Sequence, residues 1–333
     1  MISKKLGSIL AVLCLCIAPP LAWQAKRPKT SDSHVIPSSP GKQFRRYSWT
    51  LEEIARKADH YKKIRRGFDA LKSSTKKIRK SVVDAKNNPA LNRNSTLLCF
   101  DETRSCKDLD GFYINANDVY TPVQNYMVTQ GPLETTVGDF WKAVLHNNSD
   151  LIVTLVMHIE NGKNKCASYW TIPQFQVDGW TITLDGEELL ATSFYIPTHR
   201  IVERRFTAKN GQTLRTIRQI HYENRPDGKT PELELFTKLL DIVDEKSTTC
   251  PITVHCSAGV GRSGTFVAAH SLRKELRSVH GNTTKINIPK AVYNLRCQRL
   301  GLVGSAGQYK MIFKTLAKEY RPRAHPFFVN ASP

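Results

Sequence analysis

Apolar positions along this chain change their spacing twice. From Thr50 they recur at helical intervals, at Leu51, Ile54, Ala58 and Tyr61, and Thr50-Leu51-Glu52-Glu53 has the form of a capping box, so a helix is predicted to start there. A second helical stretch is predicted over residues 68–83, with Asn87-Asn88-Pro89 as its stop. Further on, β-branched and aromatic runs at residues 111–116, 151–157, 180–184, 193–198, 214–222 and 252–254 predict strands. Helical spacing interrupts them at 139–144 and 233–243 and returns at 264–278, 290–297 and 308–320. Strands enclosed by helices at both ends predict a single α/β domain over residues 46–322.

The ends follow other patterns. Lys4-Lys5, an apolar run over residues 6–18, Pro19-Pro20 and the small residues Ala22 and Ala25 stand in the order of a secretory signal peptide, expected to occupy residues 1–25. That run is shorter than the roughly 20 residues a spanning helix needs. The expected location is therefore secreted or periplasmic, with a membrane anchor made by an uncleaved segment as the alternative. Residues 26–45, rich in Pro, Ser and Gly, read as a flexible linker, and residues 323–333 as a C-terminal tail.

At 333 residues and 40% hydrophobic, the chain can bury a full core in one large domain. Its net charge of +20 favours anionic partners. Residues 41–90 hold fifteen Lys and Arg against five Asp and Glu, half of that surplus. A solvated helical face accounts for them as well as an anionic membrane surface does. No aromatic-interleaved basic pattern is present, so no nucleic-acid partner is predicted. Past the signal segment six cysteines remain, Cys99, Cys106, Cys166, Cys250, Cys256 and Cys297, too few for a disulfide scaffold of this length. No His/Cys/Asp cluster has metal-ligand spacing, and no cofactor is expected.

The densest chemistry lies between His255 and Gly264. A short β-rich run feeds Cys256; Ser257, Ala258, Gly259, Val260 and Gly261 follow; then Arg262-Ser263 opens a helical segment. A strand-to-helix turn of this composition aims the N–H groups of residues 257–262 into one concavity at a positive helix end, which makes an anion cradle. Arg262 closes it with a planar fork that matches two phosphate oxygens. Cys256 at its floor has its thiolate favoured by the same field. A buried cysteine beside a glycine turn would by itself be unremarkable; strand, His-Cys, small-residue loop, Arg-Ser-Gly and helix in one order are what specify a nucleophile beneath a bound phosphate.

His255-Cys256 through Arg262-Ser263-Gly264 resembles the phosphate-binding loop of the protein tyrosine phosphatase family. Gly111-Phe112-Tyr113-Ile114-Asn115-Ala116-Asn117, Gln130-Gly131-Pro132-Leu133 with Asp139-Phe140-Trp141, Lys165-Cys166-Ala167-Ser168-Tyr169-Trp170 and Arg225-Pro226-Asp227 resemble further segments of that family, in family order. The resemblance runs over residues 88–320. It implies a central mixed twisted β-sheet flanked by α-helices, and hydrolysis of phosphotyrosine on a phosphorylated protein. In that scheme Cys256 forms a phosphocysteine and Asp227 is general acid, then base. Arg262 and the N–H groups of Ser257, Ala258, Gly259, Val260 and Gly261 hold the phosphate oxygens. Ser263 donates to the sulfur and His255 orients the loop, while Asn94, Lys165 and Gln308 stand at the substrate.

Three departures bear on what is delivered to the cradle. Asn94, in Asn92-Arg93-Asn94, stands where the family has the tyrosine that packs on the substrate ring. Arg225 replaces the tryptophan of the mobile acid loop. Gly304, in Gly304-Ser305-Ala306-Gly307-Gln308, replaces the first water-positioning glutamine. They keep two alternatives in view: a weakly active phosphate-binding or substrate-trapping module, and a phosphatase for phosphoserine/threonine or phosphoinositides. A signal-like N-terminus on such a domain also makes a secreted effector a candidate role.

Overall fold

The computed structural model describes residues 44, 47–224, 231–278 and 285–320, which share one compact unit. The signal segment, nearly all of the linker, the tail and Asp227 lie outside the described residues.

The capping box forms as the sequence predicts. Thr50 Oγ1 accepts the Glu53 N–H at 3.3 Å and Glu53 Oε2 accepts the Thr50 N–H at 2.9 Å, starting α1 (Leu51–Ala58). The next helix, α2 (Tyr61–Thr75), begins and ends earlier than the predicted 68–83. Its buried stripe is Ile64, Phe68, Leu71 and Thr75, and the polar Lys76-Lys77 after it offers the core nothing to continue with. Only the short α3 (Val83–Asn87) is helical before Pro89.

Among the described residues ten strands follow: β1 (Ala116–Tyr120), β2 (Asn125–Thr129), β3 (Leu151–Thr154), β4 (Ile159–Glu160), β5 (Lys163–Asn164), β6 (Gln174–Val177), β7 (Trp180–Thr192), β8 (Arg200–Asn210), β9 (Thr213–Glu223) and β10 (Ile252–His255). Eight of them make one sheet in the order β1-β2-β10-β3-β9-β8-β7-β6, while β4 and β5 pair with each other. The central β2, β10, β3 and β9 run parallel and the outer pairings are antiparallel, giving the mixed sheet expected. β3 and β10 are buried along their whole length, as strands covered on both faces must be.

Two predicted strands are corrected. Residues 193–198 are the turn between β7 and β8, because Ser193 Oγ accepts the N–H groups of Tyr195 and Ile196 at 3.2 and 2.9 Å and curls the chain. The 111–116 strand starts only at Ala116, after a turn through Gly111 at φ 65. β2, β4, β5, β6 and β8 escaped the sequence reading; in β8 the cations Arg200, Arg204, Arg205 and Lys209 mask the alternation.

Five more helices among the described residues, α4 (Val137–His146), α5 (Leu233–Lys246), α6 (Gly261–Ser278), α7 (Ile288–Gln298) and α8 (Ala306–Ala317), cover the sheet. α4 sets Phe140 on Tyr169 and Trp141 on Phe206, with ring centroids 4.6 and 5.2 Å apart. α6 leaves the carboxyl end of β10 and packs on α7 and α8, which α1 and α2 also contact. Because β2, β10, β3 and β9 are parallel, the residues that follow them, Gln130, Cys256, Leu155 and Asn224, emerge at one edge. That carboxyl edge is where open α/β sheets bind ligands.

Candidate active site

Every carbonyl from His255 to Gly261 has a hydrogen-bond partner. His255 O accepts from Leu155 N–H at 3.0 Å, Cys256 O from His255 Nδ1 at 3.3 Å, and Ser257 O from Gly131 N–H at 2.8 Å. Arg299 donates to Gly259 O from Nε at 2.9 Å and to Ala258 O from Nη2 at 3.2 Å. Val260 O takes the N–H groups of Gly264 and Val303 at 3.0 and 3.1 Å, and Gly261 O the Thr265 hydroxyl at 2.8 Å. With these carbonyls engaged, the N–H groups of Val260 and Ser263 are turned to the Cys256 sulfur. Gly259 adopts φ +68, and a Cβ there would stand 2.1 Å from Thr129 O, so only glycine fits.

Cys256 is 3% exposed at the floor. Burial alone pushes a thiol up, as it does at Cys99, Cys106, Cys166 and Cys297. Cys256 goes the other way. Its burial is outweighed by Arg262, the Ser263 hydroxyl and the N–H groups of Ser263 and Val260, which hold the thiol below its ordinary range. Ser263 Oγ is buried with no nitrogen or oxygen partner, which leaves it to the sulfur. All six described cysteines are free thiols.

Arg262 is 2% exposed and is held by Glu160, which accepts from Nη1 at 2.6 Å and Nη2 at 3.0 Å. This carboxylate fixes the guanidinium plane and ties the β4–β5 hairpin to the cradle. Above them opens a cavity of about 380 Å3, lined by Cys256, Arg262, Arg93, Asn94, Lys163 and Lys165 among others.

His255 lies behind the nucleophile, its Nε2 3.0 Å from Thr154 Oγ1 and 2.8 Å from Tyr169 OH. Gln219 Nε2 donates to the same two oxygens, each at 2.9 Å. Burial holds the imidazole neutral, its pKa pushed down to about 3. These contacts hold the ring directly behind Cys256. Gln308 reaches the cradle too: its amide lies against Gly261, and its Oε1 accepts the Gly304 N–H at 2.8 Å. Asn94 lines the cavity with its Oδ1 already bound to the N–H groups of Thr96 and Leu97 at 2.8 and 3.1 Å.

Four supporting residues escaped the sequence reading. Arg93 braces the Gly131 and Pro132 carbonyls at 3.0 and 2.6 Å. Glu160 holds Arg262, and Arg299 also donates to Asn115 and Asn117 Oδ1, each at 2.8 Å. Arg296 binds the Leu302 and Val303 carbonyls at 2.8 and 2.6 Å, keeping Val303 at φ 65 with its N–H on Val260 O. Buried arginines have no local sequence signature; their signal is the set of distant carbonyls they collect.

A protein-tyrosine phosphatase family model matches residues 88–318. The chain is 34% identical to Tyrosine-protein phosphatase 2 of Dictyostelium discoideum, over 62% of this chain and 54% of that protein. To human Tyrosine-protein phosphatase non-receptor type 20 it is 31% identical, over 69% of this chain and 54% of that protein. With human Receptor-type tyrosine-protein phosphatase eta the identity is 33%, over 69% of this chain and 17% of that protein. The chain thus spans about half the length, or less, of these relatives. The cradle beneath a matching sheet and the family match over more than half of the sequence agree: the chain belongs to the protein-tyrosine phosphatase family.

Proposed function

We propose that this protein hydrolyses phosphotyrosine on protein substrates through a phosphocysteine on Cys256. The carrying observation is a thiol that burial should push up and that its surroundings push down. The thiolate attacks phosphorus; the bond to the phenolic oxygen breaks, and Asp227 delivers a proton to that oxygen. Arg262 and the N–H groups of the cradle carry the charge on the equatorial oxygens. Water, deprotonated by Asp227, then attacks phosphorus; the sulfur leaves as thiolate with help from Ser263, and inorganic phosphate is released. The part given to Asp227 rests on its sequence motif and on Asn224, which follows β9 at the carboxyl edge.

Turnover of an aryl phosphate and a phosphotyrosyl peptide is the test. Cys256→Ser should abolish it, and Asp227→Ala should lower kcat by about 10²–10⁴. Turnover that survives Cys256→Ser, or none by the wild type under reducing conditions, would sink the reading. One observation favours a slow second step: Gln308 Oε1 is tied to the Gly304 N–H. A burst followed by a slow steady state would reveal a trapping enzyme.

Export is proposed from residues 1–25, and is refuted if the mature protein is found only inside the producing cell. Binding to anionic membranes is proposed from the exposed Lys62, Lys63, Arg65 and Arg66, opposite the buried Ile64 and Phe68 of α2. No cosedimentation with phosphatidylserine vesicles at low salt would refute it.

A further inference from the structure

The mouth of the cavity has an unusual composition. Its β4–β5 hairpin is clamped on two sides: Arg262 holds Glu160, and Arg93 Nη1 reaches Asn164 O at 3.4 Å. Asn161 and Gly162 form the turn at φ 51 and 70, the left-handed pair that a tight two-residue hairpin needs. Glu160 and Lys163 are therefore directly opposed, with side chains on one face of the hairpin. That face is turned to the cradle, since Glu160 binds Arg262 there and Lys163 lines the cavity. Lys163 is exposed and has no ion pair among the described residues.

Among the described residues, the same cavity offers a flat ring little to stack on. Asn94 spends its side-chain oxygen on its own turn, and among the described lining residues Ala258 and Val260 are the apolar ones, with no aromatic. An entering side chain gains little from stacking on the described lining, whereas an anion at the mouth meets an ammonium carried on a braced hairpin. We propose that Lys163 is a specificity-determining residue that selects phosphoproteins carrying a second acidic group, a carboxylate or another phosphate, next to the phosphorylated residue. This rests on the reading above that Cys256 and Arg262 receive the first phosphate.

The test compares two phosphotyrosyl peptides that differ in an acidic against a neutral pair of flanking residues. The wild type should favour the acidic one about fivefold in kcat/KM, the ceiling for an exposed ion pair, and the preference should fade at high salt. Lys163→Ala should bring the ratio near one and Lys163→Glu should invert it. A wild-type ratio near one with good turnover of the neutral peptide overturns the proposal, as does a ratio that Lys163→Glu leaves unchanged. Affinities of the Cys256→Ser protein for the same peptides separate the two readings. The acidic preference in binding without wild-type turnover would sink the hydrolase reading and uphold the role of Lys163. Faster turnover of phosphoinositide vesicles than of the acidic peptide would overturn the assignment to phosphoproteins.

Discussion

At the scale of single residues, the site sets burial against charge. Ser263 is the contributor that can be removed with least disturbance, because its hydroxyl has no other polar partner. Ser263→Ala should raise the Cys256 thiol and move the acidic limb of kcat/KM up by about one pH unit, the worth of one hydrogen bond to a charged group. An unmoved limb would show that the hydroxyl does not act on the sulfur. Gly259→Ala puts a Cβ within 2.1 Å of Thr129 O at a left-handed φ. It should cost at least tenfold in kcat/KM while the fold survives, checked by kinetics beside circular dichroism. Cys256, Arg262, Ser263 and His255 were legible because they are contiguous and their order has mechanical meaning. Asn94 was legible as a departure, but its turn, which removes the side-chain oxygen from use, shows only in three dimensions.

At the scale of elements, precision at the cradle comes from pieces remote in sequence. β10 and the start of α6 were readable from apolar spacing and the His-Cys to Arg-Ser-Gly order. The two-residue strands β4 and β5 were not, since a pair so short has no periodicity. Their contribution is Glu160, and Glu160→Ala would leave Arg262 without its bidentate partner. Activity on a small aryl phosphate should fall about tenfold, with Glu160→Gln intermediate, and an undiminished kcat/KM would show that other contacts suffice to aim the guanidinium. The strain at Val303 is of the same kind. A β-branched residue at φ 65 costs about 1–3 kcal/mol, offset by the Arg296 bonds and by the N–H it presents to Val260.

Across the whole molecule, buried neutral histidines set an acid limit. His255 is pushed down to about 3, by burial first, and His221 to about 4, by burial and then Arg204. The unfolded chain protonates such residues near their ordinary value of about 6.5, and the folded one does not. Stability therefore falls as pH drops from about 6.5 toward these lowered values. By pH 5 each histidine costs about 2 kcal/mol, about 4 together. Urea midpoints at pH 7 and pH 5 test this, and equal midpoints would contradict it. The sheet order that brings β10 between β2 and β3 lay beyond the sequence, because the parallel pairings join segments more than a hundred residues apart.

The engaged carbonyls of the cradle have a last consequence, for how a turnover ends. In the proposed mechanism the counterion of the empty cradle is the Cys256 thiolate, which Arg262 and the Ser263 hydroxyl favour. On that mechanism product phosphate and regenerated thiolate compete for the same donors, and restoring the thiolate helps to evict the product. Inorganic phosphate should accordingly raise the Tm of Cys256→Ser, which has no thiolate, more than that of the wild type at pH 7. An equal or smaller shift in the variant would mean that sulfur and phosphate do not contend for the cradle.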